Sequence, residues 1–132
     1  MKKLLTAVCF LCLVSCSSIS KSGDGVINRA FTSVDANRDI VLAPGRSFEI
    51  VLPSNPTTGY TWELQIDNPN VVKNISKVFI ADRSKRVGVG GNTKWSLQAG
   101  DTGKATVNFM YQKSWEKDTP PTRTVTFTVI VR

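Results

Sequence analysis

The chain has 132 residues, of which 41% are hydrophobic and 20% are charged, and this composition is typical of a single globular domain. The formal net charge is +7, but most basic residues are interspersed with acidic ones, so the pattern does not indicate a nucleic-acid partner. Histidine is absent, which excludes serine–histidine and cysteine–histidine catalysis and the usual zinc sites.

The first fifteen residues are typical of a secretory signal peptide. Lys2 and Lys3 form a short positive region, and the apolar run that follows at residues 4–14 is too short to span a bilayer. The run leads into the sequence LVSC, which ends at Cys16 and is similar to a bacterial lipobox. We therefore predict that residues 1–15 are a lipoprotein signal peptide and that Cys16 is lipidated. The alternative is an ordinary signal peptide with a chance cysteine.

Residues 16–25 are predicted to be the lipidated cysteine and a flexible tether, because they are rich in Ser, Gly and Lys. Two or more acyl chains make a stable anchor, since each buried methylene contributes about 0.8 kcal/mol. We therefore expect a lipid-anchored protein of the cell envelope, facing the periplasm or lying at the outer membrane if the host is Gram-negative. All three cysteines lie in the first sixteen residues, so the folded part has neither a thiol nor a disulfide.

From residue 26 onward, apolar and polar residues alternate in short runs that are bounded by turn residues. This pattern is typical of half-buried β-strands. The predicted strands are 26–42 (with weaker runs at 26–34 and 39–42), 48–52, 60–66, 71–80, 93–98, 104–111 and 123–131. About seven or eight short strands without a convincing amphipathic helix predict an all-β fold, an antiparallel β-sandwich that occupies residues 26–132.

The connections between these strands differ in length. If strands that follow each other in sequence run in opposite directions, the connections alternate between the two ends of the sandwich. The compact turns at 43–46, 67–70 and 99–103 then share one end, and the longer connections at 53–59, 81–92 and 112–122 share the other. Such segregation is what a scaffold that presents a binding surface would show.

Each long connection carries an unusual group of residues. The first contains Asn-Pro-Thr-Thr-Gly, which is more than a tight hairpin needs. The second contains Gly88, Val89, Gly90 and Gly91, but neither the Lys-Ser/Thr pair nor the helix of a phosphate loop follows, so a wide hairpin is the alternative reading. The third places Trp115 among charged residues, where it either folds back onto the domain or anchors a contact.

Together these three groups resemble the chagasin family of cysteine protease inhibitors, over roughly residues 39–132. The family motif Asn-Pro-Thr-Thr-Gly-aromatic is matched in full by Asn55, Pro56, Thr57, Thr58, Gly59 and Tyr60. The motif Gly-x-Gly-Gly is matched by Gly88, Val89, Gly90 and Gly91. Lys113, Ser114 and Trp115 stand where the family usually has Arg-Pro-Trp.

The resemblance implies an immunoglobulin-like sandwich and a reversible, tight-binding inhibitor. Its three loops would wedge into the active-site cleft of papain-like proteases, with Thr57 and Thr58 nearest the catalytic cysteine and histidine of the protease. Residues 88–91 would make main-chain hydrogen bonds on the substrate side, and Trp115 would pack on the opposite flank. Lys113, in place of arginine, lacks the guanidinium that can donate two parallel hydrogen bonds to one partner. Ser114, in place of proline, leaves the backbone less restricted, so the loop loses more conformational entropy on binding.

On this reading the protein is not an enzyme, needs no cofactor or metal, and is a monomeric domain. Its partners would be the protease and, through Cys16, a membrane. Two alternatives fit part of the pattern: an envelope adhesion or structural lipoprotein with an immunoglobulin-like fold, and an inhibitor of another hydrolase such as lysozyme. The first leaves the three ordered motifs unexplained, and the positive net charge argues mildly against a basic target such as lysozyme.

Overall fold

The computed structural model describes residues 29–83 and 90–132; the signal peptide, Cys16, the tether, Gly88 and Val89 lie outside the described residues. The strands are β1 (Asp39–Leu42), β2 (Ser47–Ser54), β3 (Tyr60–Ile66), β4 (Val72–Ala81), β5 (Gly91–Ala99), β6 (Gly103–Lys113) and β7 (Arg123–Val131). One sheet has the order β1-β7-β6-β3 and the other the order β2-β5-β4. In this part of the chain no helix is long and apolar enough to cross a membrane.

The two sheets bury the apolar faces that the alternation predicted. Along β2, for example, Phe48, Ile50 and Leu52 are all buried. Trp95 of the three-stranded sheet contacts Phe109 of the four-stranded sheet, with ring centroids 4.6 Å apart. Each fully buried side chain of this size contributes roughly 1.5–3 kcal/mol to folding. The predicted all-β sandwich is confirmed.

One pairing departs from the antiparallel pattern that was predicted. β1 pairs with β7 in parallel, with Asp39 opposite Thr128 and Leu42 opposite Val131. The cause is the path of the chain before β1, because Ser33 and Ala36 lie beside the first residues of β7, around Arg123. The chain therefore enters β1 from the same side as it enters β7.

In its described part, the weak strand predicted at residues 26–34 is reduced to a single β-bridge at Phe31 and is wrong from Ser33 onward. Residues Ser33–Asp35 form a 3₁₀ helix instead. The carboxylate of Asp35 accepts hydrogen bonds from the backbone N–H of Thr32 at 2.9 Å and from the Arg29 guanidinium at 2.7 Å. These bonds hold the pKa of Asp35 well below its ordinary value of 3.8, and the bond to Arg29 makes the largest contribution. A local side-chain partner for the backbone thus replaces strand pairing here.

Before this turn, Phe31 makes a single parallel bridge to Ile50 of β2. Its N–H donates to the carbonyl of Glu49 at 2.8 Å, and its carbonyl accepts from the N–H of Val51 at 2.9 Å. The Phe31 ring packs edge-on against Phe48, with centroids 6.2 Å apart. Because the bridge is parallel, the chain at Phe31 runs in the same direction as β2.

Candidate functional site

The three long connections lie at one end of the sandwich, as predicted. In the three-stranded sheet, Ser54 at the end of β2 pairs with Gly91 at the start of β5, which pairs in turn with Ala81 at the end of β4. In the other sheet, Tyr60 at the start of β3 pairs with Lys113 at the end of β6. We call this the loop end. Its first loop is residues 55–59, its second loop residues 82–90 and its third loop residues 114–122.

The first loop is folded by its own side chains. Pro56–Thr58 form a short 3₁₀ helix that Asn55 caps. The Asn55 amide oxygen accepts from the backbone N–H of Thr57 at 3.3 Å and from the Thr57 hydroxyl at 2.6 Å. The Thr58 hydroxyl donates to the Asn55 carbonyl at 2.7 Å. Both threonines are exposed, so the loop presents a tip whose internal bonds are already formed.

Gly59 closes the first loop in a conformation that other residues rarely adopt. Its φ angle is +81°, in the left-handed region, and its N–H donates to the carbonyl of Pro56 at 3.1 Å. The sequence analysis did not foresee a second constraint. A Cβ atom at this position would lie 2.6 Å from the indole of Trp115, so only glycine leaves room for that ring.

The third loop packs against the first through Trp115. The indole covers Gly59, yet 66% of the side chain stays exposed. Of the two readings of Trp115 that the sequence left open, the ring folds back onto the first loop. Because most of its surface stays exposed, a role as a contact anchor stays a prediction. The ammonium of Lys113 lies 5.2 Å from the centroid of the Tyr60 ring and 5.9 Å from that of the Trp115 ring. It thereby supports the contact between the two loops by cation–π attraction.

Lys113 is also tied to its own turn. Its Nζ lies 3.8 Å from a carboxylate oxygen of Glu116, and its carbonyl accepts the Glu116 N–H at 3.1 Å. The adjacent Ser114 is exposed. The lysine in place of the family's arginine thus has intramolecular contacts.

The described part of the second loop packs on the base of the first. A Cβ on Gly90 would lie 2.5 Å from the carbonyl oxygen of Ser54 and 3.0 Å from the Asn55 side chain. A Cβ on Gly91 would meet the carbonyl oxygen of Ile80. Neither glycine has a positive φ, so close backbone approach, and not an unusual dihedral angle, is what requires these two glycines. Gly88 and Val89 of the predicted motif lie outside the described residues.

Tyr111 is a residue that the sequence analysis did not assign to the site. Its hydroxyl accepts the backbone N–H of Asn55 at 3.1 Å. Its ring stacks on Tyr60, with centroids 5.3 Å apart, and packs at a tilt against Trp62, with centroids 4.7 Å apart. The indole N–H of Trp62 donates to the carbonyl of Pro53 at 2.9 Å, just before the loop begins. An aromatic cluster beneath the first loop thus fixes where that loop leaves the sheet.

Between the first loop and the base of the second lies an open groove of about 700 Å³. Its walls include Asn55, Ile80, Gly90 and Tyr111. Across the described ranges, no three His, Cys, Asp or Glu side chains come together as a metal site would require. In its described residues, the loop end therefore presents the exposed tip of the first loop and the exposed ring of Trp115, both supported by contacts at their base.

Comparisons with known proteins identify this arrangement. The family described as chagasin family peptidase inhibitor matches residues 41–129. Chagasin from Trypanosoma cruzi is 31% identical over 80 residues, which are 58% of this chain and 73% of that protein. Amoebiasin-1 from Entamoeba histolytica is 30% identical over 88 residues, which are 65% of this chain and 83% of that protein.

The fold has a solved counterpart as well. A crystal structure of a cysteine protease inhibitor from Entamoeba histolytica superposes with a TM-score of 0.69 at 21% identity, covering 79% of this chain and 94% of the other. At that level of identity the superposition concerns the fold, and it agrees with the two-sheet sandwich described above. The family match and the two curated relatives add the sequence evidence, and together they show that the chain belongs to the chagasin family of peptidase inhibitors.

Proposed function

We propose that the protein is a reversible, tight-binding inhibitor of papain-like cysteine proteases and that its loop end enters the active-site cleft. The observation that carries the proposal is the first loop, which has the complete family motif and folds into an exposed tip. Because the hydroxyls of Thr57 and Thr58 are bonded within the loop, docking costs little further ordering of this segment. Membership of a peptidase inhibitor family favours this function over an adhesion module or a lysozyme inhibitor.

The three loops have different roles in this proposal. Thr57 and Thr58 would lie nearest the catalytic cysteine and histidine of the protease, as the central part of the wedge. The second loop would lay backbone along the substrate side, and its glycines allow close approach. Trp115 would pack on the opposite flank, since a large exposed aromatic ring is typical of interface hot spots. The loops block the cleft without offering an extended peptide for cleavage.

The test is a titration of papain with the soluble chain from Ser17 to Arg132, which contains the whole described domain. The wild-type chain should inhibit reversibly, and the double substitution T57E/T58E should raise the inhibition constant at least a hundredfold. The reason is that two larger, charged side chains would have to lose their hydration in the cleft, and the hydroxyl bonds that shape the loop would be gone. The matched control is T102E/T126E, which adds the same charges at exposed positions away from the loop end. Undiminished papain activity in a large molar excess of folded wild-type chain would contradict the proposal.

We further propose that the protein is held on a membrane of the cell envelope by a lipid on Cys16. The support is the sequence alone: the positive region, the apolar run, the LVSC sequence and the tether. Cys16→Ser should move the expressed protein from the membrane fraction to the soluble fraction, since the acyl chains supply the anchor. Ser18→Cys in addition to Cys16→Ser is the control, because a cysteine outside the lipobox position should not restore membrane association.

A further inference from the structure

An exposed apolar patch lies on β4, beside the loop end. Val78 and Ile80 share the outer face of this strand, opposite Lys94 and Asn92 of β5, and 48% and 47% of their surface is exposed. Phe79, between them, is 44% exposed and lies on the other face, opposite the buried Thr93. Ile80 pairs with Asn92, one position before Ala81 and Gly91 close the strand pair at the loop end. We call Val78 and Ile80 the β4 patch.

The patch lies on the unprotected half of an edge strand. β4 is an outer strand of the three-stranded sheet, and exposed edge strands are usually guarded against pairing with another chain. The half of β4 that is farther from the loops has such protection. A bulge interrupts its pairing between Asn74 and Ser76, and the ammonium of Lys77 reaches the carbonyl of Trp62 at 3.2 Å. Residues 78–80 carry neither a charge nor a bulge, and this is the half next to the loops.

The size of a typical protease–inhibitor interface indicates that surface outside the three motifs is also buried. A standard interface takes about 20–30 residues from each side and buries about 800 Å² per partner. The three motifs supply thirteen residues, several of them glycines, so the neighbouring surface has to contribute. Ile80 lines the groove between the first loop and the base of the second, and the patch is therefore continuous with the loop end. Exposed apolar side chains that adjoin a binding surface are available to extend its contact with a partner.

We propose that the β4 patch is a fourth contact of the inhibitor, which packs against an apolar surface of the protease beside its active-site cleft. This inference rests on the proposed function. The position of the patch predicts that proteases whose surface beside the cleft is apolar bind the inhibitor more tightly than proteases whose surface there is charged. The patch would thus contribute to the choice among related proteases, while the loops supply the contact that all of them share.

The test compares two isoleucines on the same strand. Ile80→Lys changes the patch, and Ile75→Lys makes the same change at the bulge, five residues farther from the loops, where the side chain is 58% exposed. With papain as the target, Ile80→Lys should raise the inhibition constant about tenfold, and Ile75→Lys should leave it within twofold. Thermal unfolding of both variants checks that the domain is intact. Equal inhibition constants for the two folded variants would overturn the inference.

A more conservative pair of substitutions tests the same inference if the Ile80→Lys variant does not fold. Val78→Thr and Val41→Thr are the same change at valines that are 48% and 46% exposed, the first in the patch and the second on β1 of the other sheet. Only Val78→Thr should weaken inhibition, by about threefold. A wild-type chain that dimerises without protease, and that Ile80→Lys makes monomeric, would show that a second copy covers the patch and would overturn the inference. A wild-type chain that fails to inhibit papain would instead overturn the proposed function.

Discussion

Individual residues at the base of the loops hold the loop end in place. Tyr111 links the first loop to the sheet through one hydrogen bond to Asn55, while Gly59 gives Trp115 its place above the same loop. Neither role follows from the motif itself, because Tyr111 lies 56 residues from Asn55 in sequence. A preorganised loop loses less conformational entropy on binding, so residues that hold the loop in place contribute to affinity.

We expect Tyr111→Phe to weaken inhibition of papain about threefold to tenfold. The substitution removes the acceptor for the Asn55 N–H and keeps the stacked ring, and a typical hydrogen bond contributes roughly 0.5–1.5 kcal/mol. Hydrogen exchange of the Asn55 amide should become faster in the free protein, which reports loop order without any protease. Tyr60→Phe removes the hydroxyl from the neighbouring ring of the same stack and serves as the control. Unchanged exchange and unchanged inhibition in Tyr111→Phe would contradict this role.

The residues of the first loop were predictable because their conformations are local. Asn55 before Pro56 favours a turn, and Gly59 supplies the positive φ that closes it. The reason for Gly90 was not predictable in the same way. Its neighbour is the carbonyl of Ser54, on a strand that comes more than thirty residues earlier in the chain, and a single sequence gives no sign of such an approach.

Among the elements, the strands were predicted well and the segment before them was not. Alternation of apolar and polar residues identifies the buried face of β2 and β6, but it does not say which strand lies beside which. The parallel pair of β1 and β7 is therefore invisible in the pattern. The 3₁₀ helix at Ser33–Asp35 depends on the carboxylate of Asp35, which outweighs the extended preference suggested by Val34.

This turn should stabilise the domain in a pH-dependent way. Asp35→Asn should lower the free energy of unfolding by about 1–2 kcal/mol at pH 7, since it weakens the bonds to Thr32 and Arg29. The pKa of Asp35 is lower in the folded chain than its ordinary 3.8, so its contribution is full above that pH and is lost as the pH falls below it. In urea unfolding, the gap between wild type and variant should therefore narrow from pH 5 to pH 2.5.

Asp101→Asn is the control for that experiment. Asp101 is exposed in the turn between β5 and β6, and its substitution should change the free energy of unfolding by less than about 0.5 kcal/mol at either pH. A gap between Asp35→Asn and the wild type that stays constant, or widens, in acid would mean that Asp35 does not stabilise the turn as a carboxylate.

At the scale of the whole molecule, the sequence predicted that the long connections share one end of the sandwich. That prediction used the lengths of the connections and the assumption that successive strands run in opposite directions. The registers at Ser54, Gly91 and Ala81 confirm it. What the sequence could not show is how the loops touch, because those contacts join elements that are distant in the chain. The packing of Trp115 on Gly59 and of Gly90 on Ser54 makes the loop end a connected surface.

The parallel bridge at Phe31 sets the direction from which the chain enters the domain. β2 runs toward the loop end, so Arg29 and Ala30 lie on the side of Phe31 that is farther from the loops. The twelve residues between Cys16 and Arg29 span at most about 40 Å when extended. On a membrane-anchored molecule, the tether would therefore join the domain on the side away from the loops. The loop end can then point away from the lipid bilayer and stay accessible to a protease.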